Sequence, residues 1–167
     1  MKIEEYRRNV SFPLRQATLC FIVRKDEILL AMKKRGFGKG RWNGVGGKVE
    51  KNEEVPSAVV REAKEEIGVL PIDIYRVAVL NFYFTHNQDW NQQVIVYISD
   101  RWDGKPVESE EMKPKWFKQN NLPYKEMWPD DILWLPHVLN GSFVEAEFMF
   151  GEGDVVLDHT IQALASL

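Results

Sequence analysis

The sequence contains only one cysteine among its 167 residues, and this scarcity excludes two kinds of stabilisation. A single cysteine cannot form an intrachain disulfide, and it cannot build a zinc site from several thiolates. Cys20 lies within the apolar run 19–23, so we expect it to be a core residue. The chain also lacks a long apolar stretch near its start, so we expect no secretory signal, no membrane anchor and a cytoplasmic location.

A surplus of positive charge is also missing. The formal net charge is -3 and the isoelectric point is about 5.7. Binding to duplex nucleic acid generally requires many surplus lysines and arginines, so we expect no stable nucleic-acid partner. A small phosphate-bearing ligand needs only local cations or a bound metal, and the overall charge does not exclude it.

The sequence has no internal repeat, low-complexity tract or linker. Hydrophobic residues make up 44% and charged residues 28%, which is typical of soluble globular proteins. A chain of this length can bury one core, so we predict a single domain over residues 1–167 and expect a monomer. Residues 1–13 form an N-terminal extension that either packs onto the domain or frays from it.

The hydrophobic pattern predicts an α/β protein with a mixed sheet. Apolar residues recur at three- and four-residue steps over residues 54–67, which predicts an amphipathic helix that ends at Gly68. A second helix is predicted to begin at 129–131 and end near 140–141, and Asp103-Gly104 predicts a tight turn. Strands are predicted at 16–24, 27–32, 74–84, 93–98, 143–150 and 155–163.

Residues 47–69 carry a cluster of acids at fixed spacing. The pattern is Gly-x5-Glu-x7-Arg-Glu-apolar-x-Glu-Glu-x-Gly-apolar. Glu62, Glu65 and Glu66 are three or four residues apart, which places the three carboxylates on one helical face. They would repel each other unless a hard divalent cation bound between them. The alternative is that neighbouring lysines and Arg61 balance the acids on a solvated face, but that alternative does not require the glycines at positions 47 and 68.

This pattern is the complete Nudix box, and the sequence resembles the Nudix hydrolases. The resemblance implies an α/β/α sandwich with a mixed sheet, hydrolysis of a diphosphate linkage, and Mg²⁺ as cofactor, with Mn²⁺ able to replace it. It also implies a catalytic group and a metal-binding group of residues. The catalytic residues would be Glu53, Arg61, Glu62, Glu65 and Glu66, and the metal ligands would be Gly46, Glu62, Glu65, Glu66 and Glu111.

Two of these residues have specific expected roles. Arg61 would orient a neighbouring glutamate rather than bind substrate. Glu111 would bring a further acid to the metal from outside the box, although Glu110 is an alternative. An ordinary acidic surface turn would give the same sequence at 106–112.

Three further segments, at 32–38, 40–44 and 127–131, resemble the oxidised-purine nucleoside triphosphatases related to MutT within this family. This resemblance implies a small-molecule nucleotide substrate, such as 8-oxo-dGTP or 2-oxo-dATP, which would be split into a monophosphate and pyrophosphate. Trp128 would stack on the base, Asn43 would bind its edge, and Asp130 and Asp131 would face its Watson–Crick side. The further substrate-binding candidates are Thr18, Lys33, Phe37, Phe82 and Phe84.

Other interpretations of these residues remain open at this point. Asp130 and Asp131 could cap a helix, and the phenylalanines could belong to the core. The sequence also departs from these relatives in its N-terminal extension and at 91–93, where we expect an apolar pocket residue and find Asn-Gln-Gln. The alternative functions are hydrolysis of a normal or alkylated nucleotide or of another nucleoside diphosphate derivative, and nucleotide or RNA binding without catalysis.

Overall fold

The computed structural model describes residues 1–165, in which eight strands form one mixed sheet. The strands are β1 (Arg15–Arg24), β2 (Glu27–Lys33), β3 (Trp42–Asn43), β4 (Leu70–Phe84), β5 (Gln92–Asp103), β6 (Met112–Lys118), β7 (Phe143–Phe150) and β8 (Val156–Leu164). Their order is β3-β2-β1-β5-β4-β7-β8, with β6 paired to β2. The pairs β1–β5 and β4–β7 are parallel and the others are antiparallel. The predicted domain range ends at 167, two residues beyond the described part.

Two helices cover opposite faces of this sheet. Helix α2 (Val55–Ile67) buries its apolar side against one face, and α3 (Asp131–Leu139) buries its apolar side against the other. Side chains alternate between the faces along a strand, so Phe21 belongs to the α3 core while Cys20 and Ile22 belong to the α2 core. The predicted α/β/α sandwich is confirmed.

The helix that carries the acidic cluster has the boundaries that the sequence predicts. Pro56 lies in its first turn, where the missing N–H has no intrahelical partner to lose. Gly68 ends it in the left-handed conformation, with φ of 71°, and its N–H donates to the Lys64 carbonyl at 3.0 Å. None of the helices in the described residues has the length and apolar character needed to cross a bilayer.

Cys20 lies in the core, as its apolar surroundings predict. The side chain is buried, and burial raises the pKa of its thiol to about 12. Because the thiolate is the reactive form, this cysteine is chemically inert at neutral pH.

Two strand predictions were too short, and two strands were not predicted. β4 begins at Leu70 rather than at 74, and β5 continues to Asp103 rather than ending at 98, because the two strands extend as a ribbon whose bulges interrupt the alternation. Strand β6 alternates with lysines and contains Pro114, both typical of an edge strand and both misleading for a pattern-based prediction. The short strand β3 was also not predicted.

The N-terminal extension packs onto the sheet and does not fray. Helix α1 (Ile3–Arg7) buries Ile3 and Tyr6 against Tyr83 and Met149. The Ile3 backbone N–H donates to Asp158 at 3.0 Å. A helix of five residues is too short to be stable alone, so these tertiary contacts must hold it.

Replacing Ile3 with Ala should therefore lower the free energy of unfolding by roughly 2–5 kcal/mol, the usual cost of removing a buried isoleucine side chain. The matched control is Glu4→Ala, which changes an exposed neighbour on the same helix and should alter stability by about 0.5 kcal/mol or less. Denaturant unfolding measures both. Equal, small effects of the two substitutions would mean that the extension contributes nothing to the core.

Candidate active site

The segment before the acidic helix lies directly along strand β1. The Thr18 N–H donates to the Gly47 carbonyl at 2.8 Å, and the Val45 N–H donates to the Cys20 carbonyl at 3.0 Å. A Cβ atom at Gly46 would lie 1.9 Å from the Thr18 carbonyl oxygen, so no other residue fits there. The strand and the helix are joined through this close approach.

Glu62 reaches the same segment from the helix side. A Cβ atom at Gly47 would lie 2.6 Å from the Glu62 carboxyl group, so that group packs directly on the backbone. A side chain at position 47 would therefore displace the Glu62 carboxyl group, and glycine leaves it in place.

Arg61 is the centre of a network of ion pairs. Its guanidinium donates to both carboxylate oxygens of Glu53, at 2.8 and 3.0 Å, and to Glu62 at 2.8 Å. It also reaches Glu65 at 3.3 Å and the Lys48 carbonyl at 3.1 Å. The contact with Glu62 is the one that the predicted orienting role requires.

Glu53 is a positioning group in this arrangement. The hydrogen bonds from Arg61, with a further one from the Glu50 backbone N–H, lower the pKa of Glu53 to about 2. A carboxylate held in this way stays ionised and is a poor proton acceptor, so the geometry favours orientation of Arg61 over acid–base catalysis.

Glu66 is the acid whose environment is least favourable for a charge. Its side chain is buried, and its Oε2 atom has no hydrogen-bond partner. Burial raises its pKa to about 8, and the charge of Glu62 acts in the same direction, whereas Lys33 and the Gly46 backbone amide act against it. A buried carboxylate without a partner beside a second carboxylate fits a cation, because a divalent ion would supply the missing charge.

The other two acids expected at the metal do not join this pair. Glu65 is exposed and points towards Arg61, and Glu111 is exposed and forms an ion pair with Arg35 at 3.2 Å. Within residues 1–165, no three histidine, cysteine or acidic side chains converge closely enough to enclose a metal. A cation at Glu62 and Glu66 would need further ligands from backbone, water or substrate, which is the usual pattern for Mg²⁺.

A cavity of about 580 Å³ lies beside the acidic pair, and it contains most of the predicted substrate-binding residues. Gly46 and Gly47, which contact the two glutamates, form part of its lining, so the acids and the cavity share one boundary. The predicted residues that line it are Thr18, Lys33, Phe37, Asn43, Phe82, Trp128, Asp130 and Asp131. Arg15, Arg41 and Lys48 add positive charge to the lining.

Phe84 is the one predicted substrate-binding residue that does not line the cavity. It is buried one layer deeper, with its ring 6.2 Å from Phe37 and 5.6 Å from Trp90, measured between centroids. Phe82, two residues earlier on the same face, does reach the cavity. The prediction for Phe84 is therefore corrected to a supporting core role.

Trp90 and Arg41 are among the lining residues that the sequence analysis did not assign to the site. Trp90 packs on Phe37 at 5.2 Å and supplies the apolar wall that we expected at 91–93, one position earlier than expected. The Arg41 guanidinium lies 4.1 Å from the centre of the Trp128 ring and forms an ion pair with Asp154 at 2.9 Å. Arg41 belongs to the segment 40–44, whose resemblance gave no indication of this aromatic contact.

Asp130 and Asp131 are both 2% exposed, line the cavity and lie where α3, the helix on the sheet face opposite α2, begins. Asp130 occupies the N-cap position, but its carboxylate accepts from the Trp134 indole N–H at 2.8 Å and makes no capping hydrogen bond. The Oδ2 atom of Asp131 has no partner. Helix capping therefore does not account for this pair.

The electrostatics of the two aspartates are coupled. Burial raises the pKa of Asp130 to about 6, against the hydrogen bond from Trp134. The pKa of Asp131 is raised well above its usual range, first by burial and then by the negative charge of Asp130. Burial and the charge of Asp130 thus favour the protonated form of Asp131, in which one carboxyl can donate a hydrogen bond while the other accepts.

Comparison with known proteins agrees with this geometry. The family model of the NUDIX domain matches residues 13–138. The chain is 36% identical over 156 residues to an oxidized purine nucleoside triphosphate hydrolase from Danio rerio, covering 93% of this chain and 99% of that protein. The corresponding protein from Mus musculus is 36% identical over 149 residues, covering 89% of this chain and 95% of its own length.

Solved structures show the same fold. A MutT protein from Bacillus halodurans superposes with a TM-score of 0.79 at 23% identity, covering 89% of this chain and 98% of that one. A MutT NUDIX hydrolase from Burkholderia pseudomallei superposes with a TM-score of 0.61 at 30% identity, covering 67% and 88%. Because the family model spans most of the chain and the vertebrate relatives match it almost from end to end, this protein belongs to the Nudix hydrolase family.

Proposed function

We propose that this protein hydrolyses purine nucleoside triphosphates with an oxidised base, such as 8-oxo-dGTP and 2-oxo-dATP, to the monophosphate and pyrophosphate. Such an activity would remove oxidised precursors from the nucleotide pool before they enter DNA. The observation that carries the proposal is one cavity lined both by the buried Asp130–Asp131 pair and by Gly46 and Gly47, which contact Glu66 and Glu62. The names of the two vertebrate relatives support the same substrate class.

The phosphate end of the site would hold a divalent cation, which we propose to be Mg²⁺, with Mn²⁺ able to replace it. Glu62 and Glu66 would bind it together with the backbone of Gly46. When bound, the cation neutralises charge on the phosphoryl oxygens and lowers the pKa of a water molecule. Glu65 and Glu111 stay candidate ligands or bases, because both are exposed near this end and neither has a buried partner.

Positive side chains in the lining would bind the triphosphate. Lys33 and Lys48 line the cavity on the side of Gly46 and Gly47, and Lys33 lies close enough to Glu66 to lower its pKa. Lysine ammonium groups bind phosphate oxygens as compact charges without demanding a fixed orientation. The diphosphate linkage would then lie next to the two glutamates, where its hydrolysis must occur.

The base end offers groups that suit an oxidised purine. Trp128 and Phe37 present aromatic surface for stacking, and Asn43 supplies an amide at the cavity wall. Oxidation of a purine changes which of its ring atoms donate and which accept hydrogen bonds. An aspartate pair that shares one proton can meet either arrangement, since the proton can sit on whichever carboxyl faces a carbonyl oxygen.

The direct test is Mg²⁺-dependent pyrophosphate release from 8-oxo-dGTP, 2-oxo-dATP, dGTP and ADP-ribose, compared by kcat/KM. We expect the two oxidised purines to exceed dGTP by at least about tenfold, which corresponds to roughly 1.4 kcal/mol of transition-state discrimination. Preference for dGTP, for an alkylated purine nucleotide or for ADP-ribose would contradict the proposed substrate class and leave the Nudix chemistry. Absence of all turnover would favour a binding module instead.

Replacing Glu66 with Gln should abolish turnover while the fold is retained. The substitution keeps the shape of the side chain but removes the charge that the cation requires. The metal-free protein should be as stable as the wild type or more stable, because the repulsion between Glu66 and Glu62 is lost. The control is Glu54→Gln, the same chemical change on an exposed residue at the start of the same helix. Activity of Glu66→Gln within a few-fold of the wild type would remove Glu66 from the metal site.

Replacing Asp130 with Asn should stabilise the protein at pH 8 but not at pH 4. The pKa of Asp130 is about 6 in the folded protein, against 3.8 for an aspartate free of the fold, so the folded state binds more protons between these values. Stability is therefore lost as the pH rises through this window, and the loss is on the order of 2–3 kcal/mol. Asparagine avoids this cost and can still accept from Trp134.

The same variant should lose its preference for oxidised purines over dGTP. Thermal unfolding at pH 4 and pH 8 and the kcat/KM ratio measure the two effects, and Asp100→Asn, an exposed carboxylate on β5, is the control for stability. If the ratio of kcat/KM for oxidised purines to that for dGTP is unchanged, Asp130 has no role in base recognition. If stability at pH 8 is unchanged, burial of the Asp130 charge does not destabilise the fold.

A further inference from the structure

One wall of the cavity is formed by the loop between β4 and β5, residues 85–91, together with the first residue of β5. Asp89, Trp90 and Gln92 from this region line the cavity. The loop contains a single helical turn over Gln88–Trp90, and the Asn87 side chain accepts from the Asp89 backbone N–H at 3.0 Å. This contact shapes the turn, but it lies within the loop and does not attach Trp90 to the rest of the fold.

Asn91 makes the attachment. It lies between two cavity-lining residues in the sequence, but its own side chain is 7% exposed and is directed away from the cavity. The Asn91 Oδ1 atom accepts from the Phe84 backbone N–H at 2.7 Å. The Asn91 Nδ2 atom donates to the Tyr6 hydroxyl at 3.2 Å. The end of the loop is thus bound both to β4 and to the N-terminal helix.

The Tyr6 hydroxyl completes a closed set of buried hydrogen bonds. It donates to the Phe84 carbonyl at 2.7 Å while it accepts from Asn91. Each of the three residues satisfies a polar group of the other two, and loss of one would leave buried polar groups without partners.

Helix α1 provides a fixed point for this set of bonds. It is held to the sheet independently of the loop, through the Ile3 N–H bond to Asp158 at 3.0 Å and the Arg7–Glu147 ion pair at 2.8 Å. Tyr6 also packs on Tyr83, with the ring centroids 5.7 Å apart. The hydroxyl of Tyr6 is therefore anchored by contacts on the face of the sheet opposite the cavity.

We propose that Tyr6, acting through Asn91, is a positioning residue that holds Trp90 and Gln92 in the orientation in which they line the substrate cavity. The N-terminal extension then contributes to substrate recognition without contacting the substrate. This inference deepens the proposed function and rests on it to the extent that the cavity binds the base of a nucleotide.

The test is Tyr6→Phe, which removes one oxygen atom and keeps the ring that packs on Tyr83. With the preferred substrate of the wild type, we expect KM to rise by about fivefold and kcat to stay within twofold, because the glutamates at the phosphate end are untouched. Amide hydrogen exchange of residues 85–92 should accelerate by about tenfold or more in the nucleotide-free protein. Asn91→Ala breaks the same attachment from the loop side and should reproduce both effects.

Tyr83→Phe is the matched control. It also removes a buried tyrosine hydroxyl, one that donates to Glu147 at 2.7 Å and makes no bond to the loop, and it leaves Glu147 bound to Arg7 of α1 at 2.8 Å. It should leave KM and the exchange of residues 85–92 unchanged. Equal changes in KM for Tyr6→Phe and Tyr83→Phe would overturn the proposal in favour of general destabilisation, as would wild-type KM and exchange in a folded Tyr6→Phe protein.

The two proposals fail in different ways. If the wild type hydrolyses no oxidised purine nucleotide, the proposed function fails, and the exchange measurement on Tyr6→Phe still decides whether Tyr6 positions the loop. If the oxidised purines are hydrolysed but Tyr6→Phe changes neither KM nor exchange, the proposed function stands and the positioning role fails.

Discussion

The contact between the Glu62 carboxyl group and the Gly47 backbone is the constraint on which the site depends. A Cβ atom at position 47 would lie 2.6 Å from that carboxyl group, and one at position 46 would lie 1.9 Å from the Thr18 carbonyl. These two approaches bring helix α2 against strand β1 with only backbone between them. The helix can therefore present Glu62 and Glu66 at the edge of the cavity, and Arg61 fixes Glu62 from the other side at 2.8 Å. A side chain at Gly46 would clash with the β1 backbone, and one at Gly47 would displace the Glu62 carboxyl group from its position.

The structure carries electrostatic strain at two buried acids, one in the lining of the cavity and one beside it. Glu66 and Asp131 are buried with an oxygen that has no partner, and burial raises the pKa of each. Such groups cost stability in the free protein and are typically found where a ligand compensates them. A cation would compensate Glu66, and a base with hydrogen-bond donors and acceptors would compensate the aspartates. Under the proposed function, Glu66 would contact the phosphate end of one nucleotide through the cation, and Asp131 would contact its base.

The acidic helix and most of its surroundings could be predicted because their patterns are local. Residues 55–67 repeat at helical spacing and end at Gly68, so helix, face and acids follow from the sequence alone. Strand β6 could not be predicted, because its lysines and Pro114 are features of a strand edge whose partner, β2, is remote in sequence. The sequence predicted that Arg61 orients a neighbouring glutamate. It did not predict the bidentate contact with Glu53, because that contact depends on the conformation of the loop between the two residues.

Residues of the base end were harder to predict because their positions depend on contacts between distant segments. Trp90 lines the cavity through a loop attached to helix α1, more than eighty residues earlier, and no local pattern reports that attachment. Glu111 was expected at the metal from the resemblance alone. In the structure its side chain pairs with Arg35, and the metal role stays a prediction. Strand alternation placed Phe84 on the right face of the sheet. It could not show that Phe37 and Trp90 cover its ring and separate it from the cavity.

The central claim is that the two buried acid groups are stabilised by the two ends of one metal–nucleotide ligand. The most direct measurement is the thermal unfolding temperature of the wild type with Mg²⁺ alone, with the product monophosphate of an oxidised purine alone, and with both together. The account predicts that each ligand raises the unfolding temperature and that the monophosphate of the oxidised purine does so more than that of the normal purine, since ligands that bind only the folded state stabilise it. An unfolding temperature that stays constant in saturating Mg²⁺ and both monophosphates would contradict it.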